Sequence, residues 1–195
     1  MCIRDSRNER ARAGLSDTLR FADSLAGINP ENDDKYPYGG LAEQLSLASQ
    51  MLAADAGLRV VHVGLGGFDT HSGQSWRHPQ LMTELNDALV AFIGDIEERG
   101  LRESTLIMTT SEFGRRVPSN DGGTDHGAAG TSLLCGPVNP GLYGEMPSLS
   151  SLDDGNLTAT MRFDDYYATI AEKWFGIPAG EVLAADAEAL DGIIV

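Results

Sequence analysis

Two short apolar runs rich in β-branched residues, 58–65 (Leu-Arg-Val-Val-His-Val-Gly-Leu) and 104–110 (Ser-Thr-Leu-Ile-Met-Thr-Thr), flank a stretch with helical periodicity. Within 80–99, Leu81, Leu85, Leu89, Phe92, Ile93 and Ile96 recur every three or four residues. Charged residues fill the opposite side, and Gly100 stands where such a helix would stop. Strand, long helix, strand is a βαβ unit, whose strands are parallel and whose crossover is right-handed. The expected fold class is therefore α/β, with a mostly parallel sheet and helices layered against it.

Each run ends in a cluster of chemically active side chains. Gly66-Gly67-Phe68-Asp69-Thr70-His71 follows the first, Ser111-Glu112-Phe113-Gly114-Arg115 follows the second, and Gly123-Thr124-Asp125-His126-Gly127 comes soon after. Ligands of open α/β sheets bind beyond the carboxyl ends of the strands. Asp69, His71 and Glu112 are thus expected at one sheet edge, with Gly64, Gly66 and Gly67 letting the backbone approach a ligand. Carboxylate and imidazole donors together suit zinc, manganese or iron better than calcium or magnesium. Such a divalent ion would polarise an ester oxygen and acidify a bound water. Asp125 and His126 are adjacent and diverge in an extended chain, so either a turn aims both at one centre or one binds while the other orients it. His78 could reach a substrate or ion from the start of the crossover helix.

Simpler readings compete. Asp69 and His71 fit an ordinary turn with an exposed histidine, Glu112 fits a helix cap or a salt bridge with Arg115 and Arg116, and Asp125 to Gly127 fits a glycine turn. His62, between valines, reads as a core histidine. Ser72 and Ser111 would serve a serine hydrolase, but neither lies in a Gly-x-Ser-x-Gly elbow.

The remaining segments fill out one domain over residues 1–195. An amphipathic helix is expected over 8–26 from Ala11, Leu15, Leu19, Ala22 and Leu25. A second is expected over 41–56, with Leu41, Leu45, Leu47, Ala48, Met51 and Leu52 inward and Gly57 as its stop. Residues 131–135 read as a strand, 136–152 as a loop or edge hairpin, 164–175 as a helix closed by Gly176, and 178–195 as an acidic tail lying on the surface. With 195 residues and 42% hydrophobic content the chain can bury a real core. Its net charge of −15 opposes nucleic acid and anionic membrane as partners, because phosphate would be repelled. No apolar segment approaches a bilayer span, and two cysteines exclude a disulfide framework. Residues 1–6 (Met-Cys-Ile-Arg-Asp-Ser) fit no helix or strand pattern and read as a foreign start.

Gly-Gly-Phe-Asp-Thr-His with Gln74 shortly after, the leucine-rich helix, Thr-Ser-Glu-Phe-Gly-Arg, Gly-Thr-Asp-His-Gly and the late Asp-Tyr-Tyr-Ala-Thr-Ile-Ala-Glu-Lys-Trp-Phe-Gly occur here in order. In that combination the sequence resembles the bacterial domain of unknown function 1501 family, placed with the alkaline phosphatase and sulfatase superfamily. The resemblance implies a layered α/β/α fold and a metal-dependent hydrolase of phosphoric or sulfuric esters, acting on a small-molecule or polysaccharide ester. It implies Asp69 and His71 as one ligand pair, His126 as the later histidine of the same metal, and Glu112 as the ligand of a second metal. Glu112-Phe113 departs from the Asp-His of the superfamily, and its first metal aspartate and its nucleophile have no match here. The expected object is the N-terminally truncated, C-terminal part of a longer protein, periplasmic or secreted in full length. The alternative is a non-catalytic exported binding or scaffold protein that keeps the fold.

Overall fold

The computed structural model of the chain describes residues 14–16, 18–23, 26, 28, 34–183 and 186–195. Contacts divide the chain into two compact units, with boundaries after Phe68, His78 and Leu101. The first unit contains the described residues up to Phe68 together with 79–101. The second contains 69–78 and the described residues from Arg102 onward.

Among the described residues, the buried ones of the first unit all come from two helices. Helix α1, Gly40–Ala53, buries Leu41, Ala42, Leu45 and Ala48, so the expected face is the buried one. It stops short of Gly57, where Asp55 enters the left-handed region at φ 48°. Helix α2, Gln74–Glu98, starts six residues before the expected point. Pro79, the sixth residue, lies inside it and removes one helical donor. From Pro79 onward α2 belongs to the first unit, where Leu81, Ala88, Phe92 and Ile96 are buried. Its end is built as the sequence requires. Gly100 at φ 71° donates to the Glu97 carbonyl and Leu101 to the Ile96 carbonyl, a Schellman closure.

Asp95 was expected on the wet side of α2, and the structure corrects this. It is 2% exposed and accepts from Ser49 on α1, from Tyr36 and from Arg99. The first expected helix is described only in part: 14–16 and 18–23 are helical, and the rest of 8–26 lies outside the described residues. Leu15 and Leu19, expected inward, are exposed.

Residues 58–68, of which 58–65 were expected as a strand, carry no strand and join no ladder among the described residues. Val60, Val61 and His62 are exposed, so His62 is not a core histidine. The side-chain amide of Gln44 takes both backbone groups of Gly64, accepting from its N–H at 2.9 Å and donating to its C=O at 3.0 Å. One glutamine thus supplies there what a neighbouring strand would supply.

The second unit contains two antiparallel two-stranded ladders. Strand β1, Ile107–Met108, pairs with β4, Leu134–Cys135. Strand β2, Gly114–Asn120, pairs with β3, Gly123–Gly127, around Asp121-Gly122, which adopt φ 33° and 87°. Asp-Gly in left-handed conformation is the favoured two-residue hairpin turn. The register slips by two residues between Arg115 and Ser119, where Pro118 has no N–H to offer a partner. Helix α3, Phe163–Thr169, continues as a wider π-type turn over Ile170–Trp174, and Gly176 at φ 67° follows. The tail is more firmly placed than a surface strip: Ile194 bridges to Val138, and Ile193 is buried.

Candidate metal centre

Asp69, Thr70 and His71 alternate exposed, buried, exposed. That is the two-residue period of extended chain, and it sends the Asp69 and His71 side chains to one side and Thr70 to the other. The β2–β3 hairpin brings His126 to meet them. Asp69 Oδ1 lies 2.7 Å from His126 Nε2 and 3.0 Å from His71 Nε2, and the two imidazoles stack with centroids 4.9 Å apart. Close backbone approach makes this possible. A Cβ at Gly123 would stand 2.3 Å from the His71 carbonyl carbon and 2.4 Å from the Thr70 oxygen, so only glycine lets β3 lie against this segment. Gln74 ties the same segment down, its N–H donating to the Gly122 carbonyl and its side-chain oxygen accepting from the Thr124 hydroxyl.

One ligand atom from each of Asp69, His71 and His126 falls within 4.8 Å of the others. Donors about 2 Å from a shared tetrahedral ion are roughly 3.3 Å apart, so the Asp69–His126 and Asp69–His71 pairs, at 2.7 and 3.0 Å, lie close to the spacing a zinc-sized cation needs. Two histidines and one carboxylate leave a fourth position open, as in catalytic rather than structural zinc sites. The remaining nitrogen of His71, Nδ1, is 3.4 Å from Asp125 Oδ1, and Asn120 donates its amide to that same oxygen. Asp125 therefore faces the far side of the His71 imidazole from Asp69, the place from which a carboxylate would fix ring orientation and raise basicity were His71 to bind a metal. The hydrogen bond from His126 holds the Asp69 carboxyl below its ordinary pKa, against partial desolvation, with the charges of His126, His71 and Arg115 assisting.

Of the five expected ligands the structure thus groups three, Asp69, His71 and His126, and sets Asp125 behind His71. Glu112 is exposed on the bend before β2 and stands outside the group. His78 is exposed on α2. Arg115 does not serve as a simple salt-bridge partner of Glu112. Its guanidinium donates to the Thr124 carbonyl and to Thr70 Oγ1 at 3.2 Å, and it lies 5.0 Å from the Phe113 ring centroid. Phe113 in turn stacks flat on His126 at 3.9 Å and 3°. Sequence reasoning missed Thr70, Phe113, Arg115 and Gly123 as parts of the site. The Asp121-Gly122 turn was the feature that would have revealed the hairpin and hence the neighbours of His126.

A separate open depression, lined by Thr160, Arg162, Phe163, Asp165 and Leu190 among others, shares no residue with this cluster. Arg162 there is already matched by Asp164 and Asp186.

No helix among the described residues is long and apolar enough to cross a membrane. Neither the curated proteins nor the solved structures contain a match to this chain. A family model does match, over residues 8–182, and it spans all three clusters that supply the site. On that match the chain belongs to the family described as protein of unknown function DUF1501.

Proposed function

We propose that this chain carries a His–His–carboxylate metal centre and that the complete protein is a metal-dependent hydrolase of phosphoric or sulfuric esters. The observation that carries the reading is the convergence of Asp69 Oδ1 with the Nε2 atoms of His71 and His126. Zinc suits this donor set best, with manganese or iron as alternatives. When bound, the ion would supply Lewis acidity toward an ester oxygen and acidity to a bound water.

The residues of the chain divide the remaining work. Asp69 contributes charge, His71 and His126 contribute neutral donors, and Asp125 with Asn120 fixes the His71 ring. The ligands lie at the surface, with side chains 44% to 61% exposed, so a bulky small-molecule or polysaccharide ester could approach them. The layered α/β/α architecture with a mostly parallel sheet, and export to the periplasm or beyond, belong to the same proposal and rest on the resemblance in the motifs.

Metal analysis of protein purified without chelator is the direct test. One equivalent of zinc, manganese or iron, lost in His126→Ala, supports the reading; less than about a tenth of an equivalent overturns it. Phosphate- or sulfate-ester hydrolysis by the complete protein, abolished by Asp69→Ala, supports the enzymatic part.

The position of Glu112 favours a second reading, because a centre without it lacks the ligand expected for a second metal. In that reading the protein is a non-catalytic exported binding or scaffold protein. Metal binding without hydrolysis of any ester in a broad screen is the result it expects.

A further inference from the structure

We propose that Arg115 is the positioning residue of the metal centre, the side chain that sets the Asp69–His71 pair against His126. This inference rests on the metal reading above.

The three ligands come from two segments with no ladder between them: the irregular stretch around Thr70, and β3. Arg115 touches both. One guanidinium nitrogen donates to Thr70 Oγ1, and Thr70 is the buried residue between Asp69 and His71. The other donates to the Thr124 carbonyl, two residues before His126. The backbone of Arg115 is also the ladder partner of His126. Its guanidinium lies 5.0 Å from the Phe113 ring centroid, and Phe113 stacks flat on the His126 ring. Arg115 therefore reaches all three ligands through neighbours: Asp69 and His71 through Thr70, and His126 through Thr124, the ladder and Phe113.

A planar guanidinium suits this bridge. Its donors point in fixed, divergent directions and can serve two acceptors while its face lies on a ring. A lysine keeps the charge but supplies one compact ammonium.

Charge and positioning predict opposite signs, which makes the role measurable. A positive charge beside a cation site weakens cation binding, so an electrostatic role alone predicts tighter metal binding once Arg115 is neutralised. A positioning role predicts weaker binding.

The test is titration of the folded protein with Zn²⁺ alone, and with Co²⁺ read by the intensity of its visible bands. The proteins compared are wild type, Arg115→Gln, Arg115→Lys, Thr70→Val and the double variant Arg115→Lys/Thr70→Val, each checked by circular dichroism. Loss of a group that orients ligands typically weakens metal affinity by about 10- to 100-fold. Arg115→Gln and Arg115→Lys are both expected in that range, with weakened Co²⁺ bands. Thr70→Val is expected to lose affinity in the same direction without any change of charge, and the double variant should be no weaker than Arg115→Lys alone.

Wild type that binds Zn²⁺, with Arg115→Gln equal or tighter, overturns the positioning role and leaves the metal reading standing. Wild type that binds no metal overturns both. Should Arg115→Gln fail to fold, Arg115→Lys and Thr70→Val decide: unchanged affinity in both sinks the proposal.

Discussion

Asp95 shows how a single charged residue is kept in a core. Burial pushes its carboxyl pKa up, but hydrogen bonds from Ser49, Arg99 and Tyr36, with the charge of Arg99, more than offset this and hold it below the ordinary value. A carboxyl whose folded pKa is depressed contributes stability above its unfolded pKa, near 4, and loses it as pH falls through the folded value. The stability of wild type against urea should therefore drop as pH falls below about 4. Asp95→Asn, weaker at pH 7 by about 3 kcal/mol, should show a smaller drop. An equal drop in both proteins would remove Asp95 as the cause. Tyr166 provides the opposite case. Burial first, then electrostatic repulsion from Tyr167 and Cys135, push its phenol up to about 12. Its hydroxyl donates toward the Leu133 carbonyl at 3.2 Å and the Thr109 carbonyl at 3.4 Å. A raised pKa means the contribution is complete below about 10 and is lost as pH rises from there toward 12. Titration of phenolate absorbance should show one tyrosine ionising late and together with unfolding, and Tyr166→Phe should remove that step at a cost of about 1 kcal/mol at neutral pH.

At the scale of elements, the β2–β3 hairpin does the most for the site, and Gly123 is where it can be broken without touching a ligand. A methyl group there would overlap the His71 and Thr70 backbone, and backbone cannot swing aside as a flexible side chain can. Gly123→Ala should thus push the 69–73 segment off β3 and weaken Zn²⁺ binding by at least about 10-fold, while Asp121-Gly122 still closes the turn. Amide exchange checks both halves: protection should persist in β2 and fall at Gln74, whose N–H reaches the Gly122 carbonyl. The same hairpin explains what could be read in the sequence and what could not. The buried faces of α1 and α2 were legible because periodic leucines report burial directly. Asp69, His71 and His126 were legible as a candidate set because their residue types are scarce and chemically specific. Asp95 was not, since periodicity assigns a charged residue to water unless its partners, here from α1 and the loop before it, are known. The parallel βαβ arrangement expected of 58–65 with 104–110 depends on long-range contacts that no local pattern encodes. In the structure β1 pairs with β4, and Gln44 caps Gly64. Arg115 was noticed, but its direction was not, because a short sequence interval suggested Glu112 while the fold supplied Thr70 and Thr124.

At the scale of the whole molecule, all three proposed ligands and both residues behind His71 belong to one of the two compact units. Asp95, with Tyr36, Ser49 and Arg99, belongs to the other. A ligand stabilises the part of a protein whose unfolding destroys its site, by RT ln(1 + [L]/Kd), or about 2.7 kcal/mol at a hundredfold excess over Kd. Zn²⁺ should accordingly protect amides of 69–78 and of the β2–β3 hairpin more than those of α1 and the later part of α2. The contrast should vanish in His126→Ala. The acidity of the chain makes a control necessary, because a net charge of −15 attracts divalent cations weakly over the whole surface. Mg²⁺ at matched ionic strength supplies it: hard, oxygen-seeking and strongly hydrated, it shares the surface attraction but not the preference for imidazole. Protection by Zn²⁺ that is local, stoichiometric and unmatched by Mg²⁺ is the outcome expected of a built site. Protection spread over both units, or equal with Mg²⁺, would reduce the Asp69–His71–His126 cluster to a hydrogen-bonded surface group.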